Sequence, residues 1–217
     1  FMPTDYARAT APYRVEKSVA VEGEWDPTDP VGETRWIHEA YREYGRPNAF
    51  VAQIWLDHDD VEEVMAQQAS FPLVRSVRHK PRSAPSPDKV EPGAKSSMGD
   101  RRFRRGFGLL SQFGLNFDLQ TPWWHLTEAV SLAEKHPDTT IILNHTGLPA
   151  DRSKEGLAGW RNAMRLLAAV PHAYVKISGL GLPGRPWRIE DNRPIIQDTI
   201  ELFGVERCMF ASNFPVD

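Results

Sequence analysis

Seven short runs of β-branched and aromatic residues recur along this chain, and most of them stop at a polar residue followed by Gly, Pro or a polar loop. They cover residues 17–25, 49–56, 73–77, 115–119, 140–143, 173–177 and 208–211. The clearest ending is Leu143-Asn144-His145-Thr146-Gly147-Leu148-Pro149. Helical spacing of apolar residues fills the gaps at 30–44, 61–68, 124–135, 156–169 and 193–203. Strands that alternate with helices of this length predict βαβ units and a parallel sheet. In such α/β folds ligands and chemistry collect at the carboxyl ends of the strands. The run endings therefore read as the rim of an active site.

At 217 residues the chain is expected to be one domain over 1–217. Hydrophobic residues at 41% and charged residues at 25% allow a packed core. A net charge of -3 argues against a nucleic-acid partner. No apolar run reaches the roughly 18 residues of a membrane span, so no membrane partner is expected either. The single Cys208 cannot form an intrachain disulfide, and a cytoplasmic location is the expectation. A small-molecule substrate is the expected partner, with a homo-oligomer allowed. The opening Phe1-Met2-Pro3-Thr4-Asp5-Tyr6 has no signal-peptide pattern and does not resemble a natural chain start. Residues 80–105, rich in Pro and ending in Arg101-Arg102-Phe103-Arg104-Arg105, read as a long loop insertion, either a lid or a solvated excursion. Eight βα units would need about 250 residues. One more strand before Phe1 and one more helix after Asp217 would complete them. The competing doubly wound sheet lacks a Gly-x-Gly-x-x-Gly fingerprint.

Strand parity sorts the polar tips. Ser18, Ala20, Glu22 and Glu24 share one face, as do Asn116, Asp118 and Gln120. His145 at a strand tip suits a metal ligand or a general acid or base, with a buried structural histidine as the plainer alternative. Lys176 lies between Val175 and Ile177, so it needs a partner: Glu22, Glu24 or Asp118. Arg78 and His79 end the third run, where an arginine can clamp a carboxylate. Trp123-Trp124-His125 reads as an aromatic wall over a ligand or as a hydrophobic cap. Asp59 or Asp60 is expected to cap the helix after residue 60. No Cys-x-x-Cys, His-Glu-x-x-His, P-loop or Gly-x-Ser-x-Gly signature occurs.

Across nearly its whole length the chain resembles the amidohydrolase-related (amidohydrolase 2) family, in the branch near 2-pyrone-4,6-dicarboxylate lactonase and sugar lactonases. The resemblance lies in Val19-Ala20-Val21-Glu22, Val77-Arg78-His79, Asn116-Phe117-Asp118-Leu119-Gln120, Asn144-His145-Thr146-Gly147-Leu148-Pro149, Val175-Lys176-Ile177-Ser178-Gly179 and Phe210-Ala211-Ser212-Asn213-Phe214-Pro215. It implies a (β/α)8 TIM barrel whose first strand and last helix lie outside this chain. It implies a catalytic set of His145, Asn213, Lys176 and Asp217, with His145 also a metal ligand. Arg78, His79, Gln120, Asp118 and Trp124 would contact substrate. One divalent ion, Zn²⁺ first, is the implied cofactor, with a metal-free site as the alternative. The family's His-x-His pair occurs nowhere in the sequence and is expected on the strand before Phe1. The position that usually carries a water-activating Asp holds Asn213, and an amide cannot act as a general base. The implied activity is hydrolysis of a small carboxylated or sugar-derived lactone, or a related cyclic ester. Non-oxidative decarboxylation and a non-catalytic binding barrel are the alternatives, the latter favoured by Asn213.

Overall fold

The computed structural model of the chain describes residues 1–216. Seven strands pair in parallel and in chain order: β1 (Val19–Val21), β2 (Ala49–Gln53), β3 (Val74–Arg78), β4 (Asn116–Leu119), β5 (Ile141–Leu143), β6 (Ala173–Ile177) and β7 (Cys208–Phe210). The helices are α1 (Pro3–Ala9), α2 (Gly32–Tyr44), α3 (Val61–Ala69), α4 (Arg101–Phe107), α5 (Leu126–Lys135), α6 (Lys154–Ala168) and α7 (Ile189–Phe203). The sheet curls without closing, because β1 and β7 do not pair among the described residues. Val19 on β1 and Phe210 on β7 are accordingly exposed. This is the open barrel that the sequence predicts.

The core lies between the sheet's outer face and the helices. Phe50, Ala52, Val77, Phe117, Leu119, Ile141, Leu143, Ala173 and Val175 supply the strand side. Met65, Phe103, Phe107, Leu132, Trp160, Met164 and Ile195 supply the helix side. Burying a large apolar side chain fully is worth about 1.5–3 kcal/mol, so this layer carries most of the drive to fold. The opposite parity faces the barrel interior. The ladder aligns Gln53 with Arg78, Arg78 with Asp118, Asp118 with Ile142 and Ile142 with Tyr174. One strand departs from its expected parity. Ala20 packs against the outer core, yet Glu22 two residues on reaches inward. Glu22 lies past the end of β1, where the ladder no longer fixes which way a side chain points.

Local chemistry sets the helix ends. Gly45 stops α2 in the left-handed conformation (φ 68°). Ser153 caps α6 by accepting from Gly156 N–H at 3.0 Å. Asp60 occupies the N-cap of α3, but its side chain makes no capping hydrogen bond. The neighbouring Asp59 instead pairs with Arg102 at 2.7 Å.

The stretch expected as a loop over 80–105 ends earlier, because its last five residues belong to α4. Phe103 and Phe107 are fully buried one turn apart, while Arg105 between them is exposed and Arg104 is half-buried toward Ser131 of α5. Arg102 Nε donates to Asp57 O at 2.7 Å, so part of the basic run serves as a tie between α4 and the loop after β2. Before α4, the chain is pinned by two residues near the start of α5. Trp124 Nε1 donates to Ala84 O at 2.9 Å, and His125 Nε2 accepts from Ala84 N–H at 2.8 Å. Glu128 holds the other side of the His125 ring at 2.8 Å.

Candidate active site

Polar side chains from four strands meet on the interior face near the strands' carboxyl ends. Arg78 closes β3 and is buried. Its Nε donates to Glu22 Oε1 at 2.5 Å and its Nη2 to the Glu22 carbonyl at 2.6 Å. Its Nη1 donates to Gln120 Oε1 at 3.0 Å. Glu22 is in turn fixed by Glu24 N–H, which donates to Oε2 at 2.7 Å. Beneath lies a second ionic group. Asp118 on β4 is fully buried and accepts from Ser76 Oγ at 2.6 Å and from Lys176 Nζ on β6. Of the three acids that could answer the half-buried Lys176, Asp118 is the one that does. Glu22 takes Arg78, and Glu24 pairs with Lys80 at 2.6 Å.

His145 opens the short turn after β5. His145, Thr146 and Leu148 all have positive φ (54°, 50° and 53°), with Gly147 at 70° between them. Few non-glycine residues adopt this conformation, and runs of it mark places where backbone strain is held for a purpose. The imidazole Nδ1 lies 2.9 Å from Ser178 Oγ, just past β6. The ring rests on Gly179, where a Cβ would come within 2.7 Å of it. The glycine is thus required twice, by its own φ of 60° and by the imidazole above it. Asn213 follows β7 with φ 54°, and its carbonyl accepts from Val216 N–H at 2.7 Å.

Glu33, in the first turn of α2, supports the site from behind. Its Oε1 accepts from Gly23 N–H at 2.9 Å, next to Glu22. Burial raises its pKa above the usual carboxylate value, the Gly23 hydrogen bond opposes the rise and the Glu22 charge adds to it.

Two residues expected to touch substrate do not join this group. His79 follows Arg78 by one residue, so parity turns it to the outer face, where its ring lies 5.1 Å from Phe103. Its Nδ1 accepts from Leu56 N–H at 3.1 Å, and burial drops its pKa to about 4. It is a buried neutral histidine of the wall. Trp124 is drawn outward by its bond to Ala84 and walls the 80–100 segment rather than the barrel mouth. Asp217 lies outside the described residues. Sequence reading passed over Ser76, Ser178 and Glu33. The serines carried a faint signal in their interior parity or strand-end position, whereas Glu33 sits on a helix with no cue that it turns toward the strand ends.

A divalent ion needs several convergent donors. Among the described residues no three His, Cys, Asp or Glu side chains converge in a way that could hold one. His145 is the one histidine at the rim, and the Asp118 and Glu22 carboxylates already serve Lys176 and Arg78. The described residues by themselves do not fit a metal ion. Nor is any described helix long and apolar enough to cross a membrane.

Comparison with known proteins adds a lineage. The family profile described as Amidohydrolase matches residues 2–217. An uncharacterized protein of Sinorhizobium fredii, y4mH, is 37% identical over 207 residues, spanning 93% of this chain and 67% of that protein. An L-fucono-1,5-lactonase of Burkholderia multivorans is 33% identical over 136 residues, which is 58% of this chain and 46% of the enzyme. A crystal structure of an amidohydrolase from Burkholderia multivorans with bound zinc superposes with a TM-score of 0.81 at 25% identity, covering 99% of this chain and 74% of that one. The chain thus spans from under half to about three quarters of the length of these relatives.

Proposed function

For a chain that belongs to the amidohydrolase family, we propose hydrolysis of a small sugar-derived or carboxylated lactone, or a related cyclic ester. The observation that carries this reading is His145 on a strained turn at the strand ends, held by Ser178, at the same end of the sheet as the Arg78–Glu22 and Lys176–Asp118 pairs. The lactonase name of a relative at 33% identity supports it. In this reading water adds to the lactone carbonyl, the ring C–O bond breaks, and the ring oxygen leaves as an alcohol. His145 takes the proton of the attacking water and returns it to the departing oxygen. Lys176 and Arg78, each already paired with a carboxylate, offer their remaining N–H groups to the carbonyl oxygen as it gathers negative charge. Asp118 and Glu22 hold those cations in place. Asn213 can orient water or substrate by hydrogen bonding but cannot take a proton. A zinc ion of the kind seen in the solved relative would act as a Lewis acid on the same carbonyl. The described residues do not form a site for it.

The test is a panel of aldonolactones and carboxyl-bearing lactones assayed with the full-length protein by acid release at constant pH. Turnover of at least one class, with His145→Ala lowering kcat by about a hundredfold or more, is the expected result. Absence of turnover across the panel, or an unaffected His145→Ala variant, would overturn the reading. Release of CO₂ from an aromatic acid would favour the decarboxylase alternative.

A further inference from the structure

The peptide unit that joins Glu22 to Gly23 is held at both ends by side chains. Its carbonyl accepts from Arg78 Nη2 at 2.6 Å, and its N–H donates to Glu33 Oε1 at 2.9 Å. A peptide unit is planar, so fixing the direction of its N–H also fixes the direction of its carbonyl. Glu33 on α2 and Arg78 on β3 thus grip opposite ends of one rigid group. The carboxylate, the peptide and the guanidinium form a hydrogen-bonded chain in which each bond polarises the next. Regular structure does not hold this turn. Gly23 and Glu24 lie past β1, outside any helix or strand, and are exposed. Glycine also leaves the backbone freer than other residues would. Glu33 is costly in its place. It is buried, its Oε2 has no partner, and burial works against its charge. An apolar residue at 33 would avoid that penalty. Proteins break such local rules at functional sites, and the bond that the Glu33 side chain makes leads through the peptide to Arg78.

We propose that Glu33 is a positioning residue for Arg78, setting the Glu22–Gly23 peptide so that the Glu22 carbonyl and carboxylate together hold the guanidinium in one orientation. This deepens the hydrolytic reading of the His145 site and rests on it. Arg78 spends its Nε–H on the Glu22 carboxylate, one Nη2–H on the Glu22 carbonyl and one Nη1–H on Gln120. Each Nη carries a further N–H, and the side chain keeps 10% of its surface exposed. Such N–H groups stabilise a developing oxyanion best when their direction is set before the reaction. Loss of the Glu33 acceptor frees the peptide to turn and the guanidinium to swing with it. Glu33 acts through Arg78 and not on the substrate.

The test follows the lactone that the full-length protein hydrolyses best. Glu33→Met, close in size but without an acceptor, is expected to lower kcat and kcat/KM together by about tenfold with KM little changed, the pattern of a contact made in the transition state. Glu33→Gln keeps an acceptor for Gly23 N–H and should retain most of kcat. Arg78→Lys keeps a charge beside Glu22 but lacks the guanidinium fork. In that background Glu33→Met should cost less than about twofold further, because the two residues act as one unit. The arginine Nε–H signals in an NMR spectrum give a readout free of turnover. The Arg78 signal, identified by its absence in Arg78→Lys, should shift or broaden in Glu33→Met and stay close to its wild-type position in Glu33→Gln. Equal losses in the two Glu33 variants, an undiminished loss in the Arg78→Lys background, or an Arg78 signal that ignores Glu33 would each overturn the proposal. If no lactone is hydrolysed, the hydrolytic reading fails and the NMR signal alone decides whether Glu33 positions Arg78. If Glu33→Met does not fold, Glu33→Ala is read by the same assays, with the same expected and overturning results.

Discussion

His145 and Gly179 form the tightest geometric coupling in the candidate site. The imidazole fills the space that any side chain at 179 would claim, and the glycine's φ of 60° is one that other residues adopt at a cost. Gly179→Ala is therefore expected to displace the ring and cut kcat by at least about tenfold, the loss that a misplaced catalytic group brings, with the circular dichroism spectrum retained. Unchanged kinetics in that variant would remove the ring contact from the argument. The Lys176–Asp118 pair makes a different prediction, about stability. Asp118 is fully buried and its carboxylate answers the Lys176 ammonium. Lys176→Met would strand that charge and is expected to cost about 3–5 kcal/mol in denaturant unfolding. Adding Asp118→Leu should restore much of the loss, because an apolar pair needs no compensation. Both residues were legible in the sequence as polar tips on one parity. Their pairing was not, because 58 residues separate them along the chain and only the curl of the sheet brings β4 and β6 to a common interior.

Among the elements, α4 departs most from its sequence reading. A run of four arginines around one phenylalanine suggested a solvated segment. In the structure, Phe103 and Phe107 anchor a helix against the outer core, and Gly106 lets it approach the chain after β2. A Cβ at Gly106 would lie 2.1 Å from the Leu56 carbonyl oxygen, which cannot yield as a flexible side chain would. Gly106→Ala is expected to destabilise the fold by about 2–3 kcal/mol, the usual cost of overpacking, measured by urea unfolding. A neutral effect would mean that α4 can slide away from β2. The five longer helices were visible from periodicity because their apolar stripes run for several turns. α4 is one of two short helices, and its two buried aromatic residues at an i, i+4 spacing are too few to stand out against the charges around them.

Over the whole molecule, stability is set by a core on one face of the sheet and ionic groups on the other, and two buried titratable groups give it opposing pH dependences. His79 has a folded pKa of about 4 against an ordinary 6.5, chiefly through burial, with Asp57 opposing and His58 adding to the shift. An unfolded chain takes up the proton first, so this contribution is present above pH 6.5 and is lost as pH falls toward 4. The loss amounts to about 3 kcal/mol at most. Glu33 runs the other way. Its raised pKa means that the folded state holds its proton more tightly, so stability falls as pH climbs through 4.5 toward the folded value. His79→Asn, which keeps an acceptor for Leu56 N–H, should flatten the acid side of the unfolding profile. Glu33→Gln should raise stability near neutral pH and change nothing near pH 4. Profiles that overlay the wild type would show that neither group is desolvated as its surroundings imply. The sequence by itself determined the parallel α/β plan and marked His145, Lys176 and Arg78 as polar residues at strand ends, since alternation and run endings are local properties of the chain. Tertiary structure alone decided which acid answers which base, that His79 faces the wall and that Arg78 is tied to Glu22 and Gln120. Those outcomes depend on distances across the sheet and between loops, which residue order does not encode one residue at a time.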